Sequence, residues 1–461
     1  MRKDNFGRRI ILSQDKARQP STSLANKVIP WVVNSFLGLP GLAKGKTSPS
    51  EPLQAPIMGF MNQPTPPKPP LHLIRGTGVL ALDALKGITQ LTAATHRAIS
   101  PLRFFRKGDT TPGALSGAIY RLIHSILDLS QQELDNFLIK LETLVPPQSS
   151  RSEAEDAYLA ALNGVLGDHL VARNNPLAIP MTLIFQGQPL LPEQLPATLQ
   201  QPGNTLILMI HGLCMNHRQW NREGHDHGIQ LSKAMGQPVL YLHYNSGRHI
   251  SINGKSCAEW LERLWLHLPK HTELVLVTHS MGGLVARSAC HAADIAGHHW
   301  RRHLKKLVFL GTPHHGAPLE QAGHWLHRLL TVSRHTRRFA SLAEVRSEGV
   351  TDLRFGNVQD SDWQGGSRFL DSTDPRTPTP LPENVACFAI AGRIHTQSGK
   401  ATNTFIGDGL VGVDSALGRH RDPRFHLNLP PTNQWMGEGL NHFDLLKDPQ
   451  VFSRLNGWLT T

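Results

Sequence analysis

One serine stands between an apolar run and a helix-compatible run: Leu274-Val275-Leu276-Val277, then Thr278-His279-Ser280-Met281-Gly282-Gly283, then Leu284-Val285-Ala286-Arg287. Strand, sharp turn and helix in that order carry a serine Oγ past the edge of a sheet, where it can attack an acyl carbon. Gly282 lets such a turn pass close to its neighbours. Thr278 occupies the position where this turn usually has glycine, so the backbone there must accept a β-branched side chain. A small-residue turn around a buried serine has the same appearance, so the partners decide.

Attack on an acyl group puts negative charge on an oxygen, which needs two N–H donors already in place. The run Leu206-Ile207-Leu208-Met209-Ile210 leads into His211-Gly212-Leu213-Cys214. That loop and the turn after the serine are where the donors belong, so Leu213 and Met281 are the expected pair. His211, Gly212 and Gly282 shape the two loops. An acid and then a histidine should follow the serine in the chain. Phe405-Ile406-Gly407-Asp408-Gly409-Leu410-Val411 offers Asp408 on a glycine-flanked loop. Asp414 is the competing carboxylate, and Asp371 and Asp374 fall within a long insertion. Asn441-His442-Phe443-Asp444 offers His442 as the general base, whereas His420 and His426 follow Asp408 too closely and read as structural.

These residues need a scaffold that brings distant loops to one edge. After Asn175-Pro176 short β-prone runs alternate with amphipathic stretches, the pattern of a mostly parallel sheet with helices on both faces. Strands are expected at Met181–Phe185, Thr205–Ile210, Val239–His243, Glu273–Thr278, Lys306–Leu310 and Val385–Ala391. A cap-like insertion, 316–382, separates the last two and holds an apolar stripe from Leu319 through Trp325 to Leu330. Residues 73–175 read as a small helical module. Its last helix opens at the capping pair Ser152 and Glu155, with Tyr158, Leu159, Leu162, Val165 and Leu166 on one side. Residues 1–72 are a basic, proline-rich tail and linker, containing Pro64-Thr65-Pro66-Pro67-Lys68-Pro69-Pro70.

Together these motifs resemble the lipase and esterase branch of the α/β-hydrolase superfamily, in particular bacterial lipase-like and GPI inositol-deacylase-like hydrolases, over residues 176–461. Leu310-Gly311-Thr312-Pro313-His314-His315-Gly316 is similar to a strand end of those lipases. The resemblance implies an α/β-hydrolase fold. It also implies ester hydrolysis through an acyl-enzyme, with Ser280, Asp408 and His442 as triad and no cofactor or metal. His279, His314 and His315 fall at family positions that are structural or line the pocket. Thioester hydrolysis and acyl transfer use the same groups, and a silent binding module would keep the fold without the activity.

Composition narrows the partners. Of the net +12, residues 1–110 hold +11 from 16 Lys and Arg against 5 Asp and Glu, so the basic character is N-terminal. Such a segment suits peripheral contact with an anionic membrane. It lacks the interleaved aromatics of a nucleic-acid binder, so no nucleic acid is expected. The 26 histidines include adjacent pairs such as His298-His299 instead of helical ligand spacing, and the four cysteines form no C-x-x-C pair. Val28 to Ala43 is broken by Pro30, Asn34 and Pro40, and no apolar run is long enough to span a bilayer. A cytoplasmic protein acting on a small-molecule or lipid ester is the expectation.

Overall fold

The computed structural model describes residues 153–193, 195–201, 204–317, 347–364, 374, 376–394 and 407–460. The basic tail, residues 73–152 of the helical module, and residues 318–346 with their apolar stripe lie outside the described residues. All described residues belong to one compact unit.

Long apolar runs make the centre of the sheet. Strands β3 (Thr205–Ile210), β5 (Glu273–His279) and β6 (Leu304–Leu310) are buried at nearly every position, as parallel strands covered on both faces must be. β4 (Val239–His243) and β7 (Ala386–Arg393) flank them, and β8 (Gln434–Glu438) closes one edge. The other edge is a short antiparallel pair, β1 (Thr182–Phe185) and β2 (Gln188–Pro189). The order is β2-β1-β4-β3-β5-β6-β7-β8, with β1 antiparallel to β4 and the pairs from β4 through β8 all parallel. The six expected strands are all present. β8 is an addition: its residues are mostly half-buried, and Gly437-Glu438 read as part of a loop in the sequence.

Side chains alternate across a strand, so the two faces are covered separately. Ile207, Met209, Val275, Val277, Val308 and Ile390 share one core with Trp220 and with Leu231 of helix α2 (His227–Met235). Val451, Leu455 and Leu459 complete that core from the C-terminal helix, Pro449–Thr460. The alternate positions Leu206, Leu208, Leu274 and Leu276 are equally buried, on the face covered by α3 (Ile250–Trp265) and α4 (Met281–Ala296). These two helices cross closely enough that a Cβ on Gly254 would lie 2.2 Å from Ser288 Oγ. All four cysteines are buried and free.

Helix α1 (Glu153–Ala172) begins one residue after the expected cap. Its middle is buried nearly all round, from Ala157 to Val165 with only Tyr158 partly exposed, so it is an internal element and not a surface helix with one apolar stripe. The sequence pattern assigns it to the helical module, yet it packs within the same unit as the sheet. Asn163 ties it in place: Nδ2 donates to Leu177 O at 2.8 Å and Leu159 O at 2.9 Å, and Oδ1 accepts from Ile179 N–H at 2.9 Å. Replacing Asn163 by alanine orphans a buried carbonyl and a buried N–H, each worth about 1–3 kcal/mol. Urea unfolding of Asn163→Ala is expected to show a loss of about 2–4 kcal/mol, and a loss under about 1 kcal/mol would refute this role for the clasp.

Candidate active site

The C-terminal ends of β3, β5, β6 and β7 lie side by side, and the loops leaving this edge hold the chemistry. Ser280 joins β5 to α4 with φ 54°, ψ −127°, a conformation rare for a residue with a side chain. Its N–H donates to Leu310 O at 2.8 Å, which ties the turn to the end of β6. The strain persists because the surroundings leave no alternative. A Cβ on Gly282 would lie 2.3 Å from Ile210 O and 2.6 Å from His211 O, and one on Gly283 would lie 2.1 Å from Thr312 Oγ1. Both glycines are therefore required by close approach, and the sequence pattern singles out only the first. Thr278 is accommodated by turning its hydroxyl sideways to donate to Val308 O at 2.9 Å.

Gly212 brings the early loop against the serine, since a Cβ there would lie 2.9 Å from Ser280 Cβ. Leu213 follows, buried, and Met281 is the first residue of α4, so its N–H has no acceptor within the helix. His211 is held by three contacts. Its ring stacks on Tyr244 at 4.3 Å, and Tyr244 Oη donates to His211 O at 2.8 Å. Its Nδ1–H donates to Gly212 O at 2.9 Å, and burial lowers its pKa to about 3.

Asp408 and His442 come together as a buried pair, with Oδ2 accepting from His442 Nδ1–H at 2.6 Å. The other oxygen, Oδ1, accepts from the N–H groups of Leu410 and Val411 at 2.9 and 2.8 Å. Gly409, at φ 93°, lets the loop fold back for those two bonds. The His442 N–H donates to Asp408 O at 3.0 Å, so backbone and side chain are matched at once. Asp414 pairs instead with Arg419 at 3.8 Å near the surface, and His420 lies against Asp422 and His315.

His279 links this pair to the nucleophile. Its Nε2–H donates to His442 O at 3.0 Å, and burial pushes its pKa well down, so the ring is neutral. The remaining ring nitrogen of His442, Nε2, is buried without a hydrogen-bond partner, and no bond joins it to Ser280 Oγ. Such contacts are often loose without substrate. A cavity of about 450 Å³ borders His442 and Asp408, lined also by Arg222, Leu410, Phe443 and Lys447. His314 and Arg287 lie elsewhere in the interior: Arg287 Nη2 donates to Thr379 O, and Arg376 Nη1 donates to His314 O at 3.0 Å.

A strained serine between a parallel strand and a helix, facing an early loop on one side and an Asp–His pair on the other, defines the α/β-hydrolase fold. Residues 201–377 match the profile of the PGAP1-like alpha/beta domain family. That stretch holds Gly212 and Ser280 and ends before Asp408 and His442. A comparison with curated proteins gives no match.

Among solved structures, the mature Bacillus licheniformis lipase BlEst2 is 19% identical, with 56% of this chain and 93% of that one covered and a TM-score of 0.39. A hyperthermophilic esterase from Pyrobaculum calidifontis is 14% identical, covering 70% and 97% with a TM-score of 0.33. Aspergillus fumigatus lipase B is 13% identical, covering 56% of this chain and 53% of that one with a TM-score of 0.35. The chain thus spans about half the length of that lipase. It also spans about half the length of the propeptide form of BlEst2. The fold assignment rests on the strand order and the site, not on these overlaps.

Buried histidines, His211 and His227 among them, give the domain an acid limit. His227 donates through Nε2 to Leu445 O at 3.0 Å, and burial lowers its pKa to about 4, as it lowers that of His211 to about 3. Below pH 6.5 the unfolded chain takes up protons that these folded sites refuse. Stability therefore falls as pH drops from 6.5 towards 4, by about 1.4 kcal/mol per pH unit for each histidine. Urea midpoints at pH 7, 6 and 5 are expected to fall steadily, and less steeply in His227→Gln. A profile flat to pH 5 would contradict the assignment.

Proposed function

We propose that the protein is a serine ester hydrolase acting through an acyl-enzyme. The observation that carries this reading is the buried Asp408–His442 pair, tied through His279 to the residue beside a strained serine. His442 Nε2 takes the Ser280 Oγ proton as Oγ attacks the ester carbonyl carbon. The oxygen that becomes negative accepts from the N–H groups of Leu213 and Met281. Collapse breaks the bond to the alcohol, which leaves with the proton held by His442. Water then attacks the acyl-enzyme with His442 again as base, releasing the acid and restoring Ser280. Asp408 holds the imidazole in the tautomer with Nδ1–H and stabilises the cation that forms. The substrate is a small-molecule or lipid ester, and no step calls for a cofactor.

Ser280→Ala and His442→Ala are each expected to lower ester hydrolysis by about 10⁴-fold with the fold intact, and Asp408→Asn by nearly as much. A variant keeping a tenth of the wild-type rate would remove its residue from the triad. A fluorophosphonate probe should label wild type at Ser280 alone. Labelling with thioester turnover or transfer to an alcohol acceptor in place of hydrolysis would make the protein a thioesterase or acyltransferase. Absence of labelling and turnover would leave a binding module.

The +11 charge of residues 1–110 supports a second assignment, peripheral attachment to anionic membranes. Among the described residues no helix is long and apolar enough to cross a membrane. Full-length protein should sediment with phosphatidylserine vesicles at low salt and a variant lacking residues 1–72 should not; equal sedimentation of the two would exclude attachment through the tail.

A further inference from the structure

Leu213 is the donor expected from the early loop, and the residue after it, Cys214, has φ 57°. A non-glycine residue in that region costs about 1–3 kcal/mol and persists only where its surroundings fix it. The Cys214 N–H donates to Ser246 Oγ at 3.0 Å, and the Cys214 side chain lies on helix α1. A Cβ on Gly164 would lie 2.2 Å from Cys214 Sγ and 2.9 Å from both Cys214 Cα and N. Burial keeps the thiol in its neutral form.

The same helix carries the loop that supplies Ser246. A Cβ on Gly167 would lie 1.9 Å from Asn245 Oδ1, and Asn245 Nδ2 donates to Gly167 O at 3.0 Å. Asn245 Oδ1 accepts from Gly247 N–H at 3.0 Å, and a Cβ on Gly247 would lie 2.0 Å from Asn163 O. Ser347, within the 316–382 insertion, donates its hydroxyl to Gly164 O at 2.7 Å. One turn of bare helix backbone therefore sets two loops, 212–215 and 245–247.

We infer that α1, a helix outside the stretch matched to the PGAP1-like domain, is a positioning element of the oxyanion site, with Gly164 as its positioning residue. The inference rests on Leu213 as oxyanion donor and Ser280 as nucleophile. The Leu213 N–H is bracketed: Gly212 is pinned on Ser280 at one side and Cys214 on Gly164 at the other. A methyl group at position 164 displaces Cys214, and with it the donor, without entering the space of the substrate.

The test is kcat per active site, with sites counted by the extent of fluorophosphonate labelling. Gly164→Ala is expected to lower kcat per site by about 10- to 100-fold at unchanged KM, part of the value of one oxyanion donor. The labelling rate should fall in parallel, because negative charge builds up on the phosphoryl oxygen in the transition state of labelling and draws on the same donors. Adding Cys214→Ala removes the 2.2 Å clash but leaves the 2.9 Å contacts with the backbone of residue 214, so it should restore only part of the loss. Leu455→Ala, which opens a cavity in the core beneath the C-terminal helix, should lose stability and keep its kcat per site.

Wild-type kcat per site in Gly164→Ala, or an equal loss in Leu455→Ala, would show that α1 only supports the fold and would overturn the inference. Should Gly164→Ala fail to fold, Ser246→Ala deletes the oxygen that holds the Cys214 N–H; a drop in kcat per site at unchanged KM supports the inference and a wild-type value overturns it. Wild-type protein with neither label nor hydrolysis would remove Ser280 as nucleophile and this inference with it, an outcome distinct from an active wild type with an indifferent Gly164→Ala.

Discussion

A carboxylate taken out of water must have its charge met by hydrogen bonds, and the structure around Asp408 is organised by that requirement. Two backbone N–H groups and one imidazole N–H meet it, from a loop folded back on itself and from a second loop more than thirty residues further along the chain. The imidazole cannot turn without breaking its buried bond to Asp408 Oδ2. Within the pair, His442 Nε2 is left without a partner. An orphaned buried nitrogen is costly for folding alone, so its retention beside a strained serine fits a group kept for a ligand.

Backbone packing solves the complementary problem on the other side of the site. The turn at Ser280 lies so close to the end of β3 that glycine is needed at 282, and so close to Thr312, just beyond β6, that a second is needed at 283; the early loop lies against Ser280 so closely that a third is needed at 212. At 282 the opposing atoms are the backbone oxygens of Ile210 and His211, which no rotamer change can move away. The neutral His211 and His279 rings fill the space between without bringing in charge. Placement of the donors thus follows the chain path, with the Ser246 hydroxyl holding the Cys214 N–H beside it.

Much of this was legible in the sequence because it depends on local signals. β5 and β3 announce themselves as continuous apolar runs ending in His-Ser and His-Gly turns, and the order serine, acid, histidine singles out Asp408 and His442. β8 gave no such signal, since a half-buried edge strand containing Gly437 has neither an apolar run nor clean alternation. Helix α1 showed a stripe that suited an independent module, whereas it is buried almost all round by loops distant in sequence. Contacts such as Ser347 to Gly164, 183 residues apart, leave no trace in local pattern. Gly283 and the sideways Thr278 hydroxyl belong to the same class, because what they touch lies on β6 and just beyond it.

Within the 316–382 insertion, the described residues on either side of 318–346 are fastened to each other. Ala317 N–H donates to Leu353 O at 3.0 Å, and a Cβ on Gly316 would lie 2.1 Å from Arg354 O. The returning side is also locked to the body through Asp352, which accepts from His249 Nδ1 at 3.0 Å and from Ile250 N–H at 2.8 Å. A chain that leaves and re-enters through adjacent, fixed points closes a loop whose entropy changes only with the logarithm of its length, about 0.6 kcal/mol per doubling. The segment between these two points is therefore a cassette: it can be lengthened, shortened or exchanged at little thermodynamic cost to the sheet.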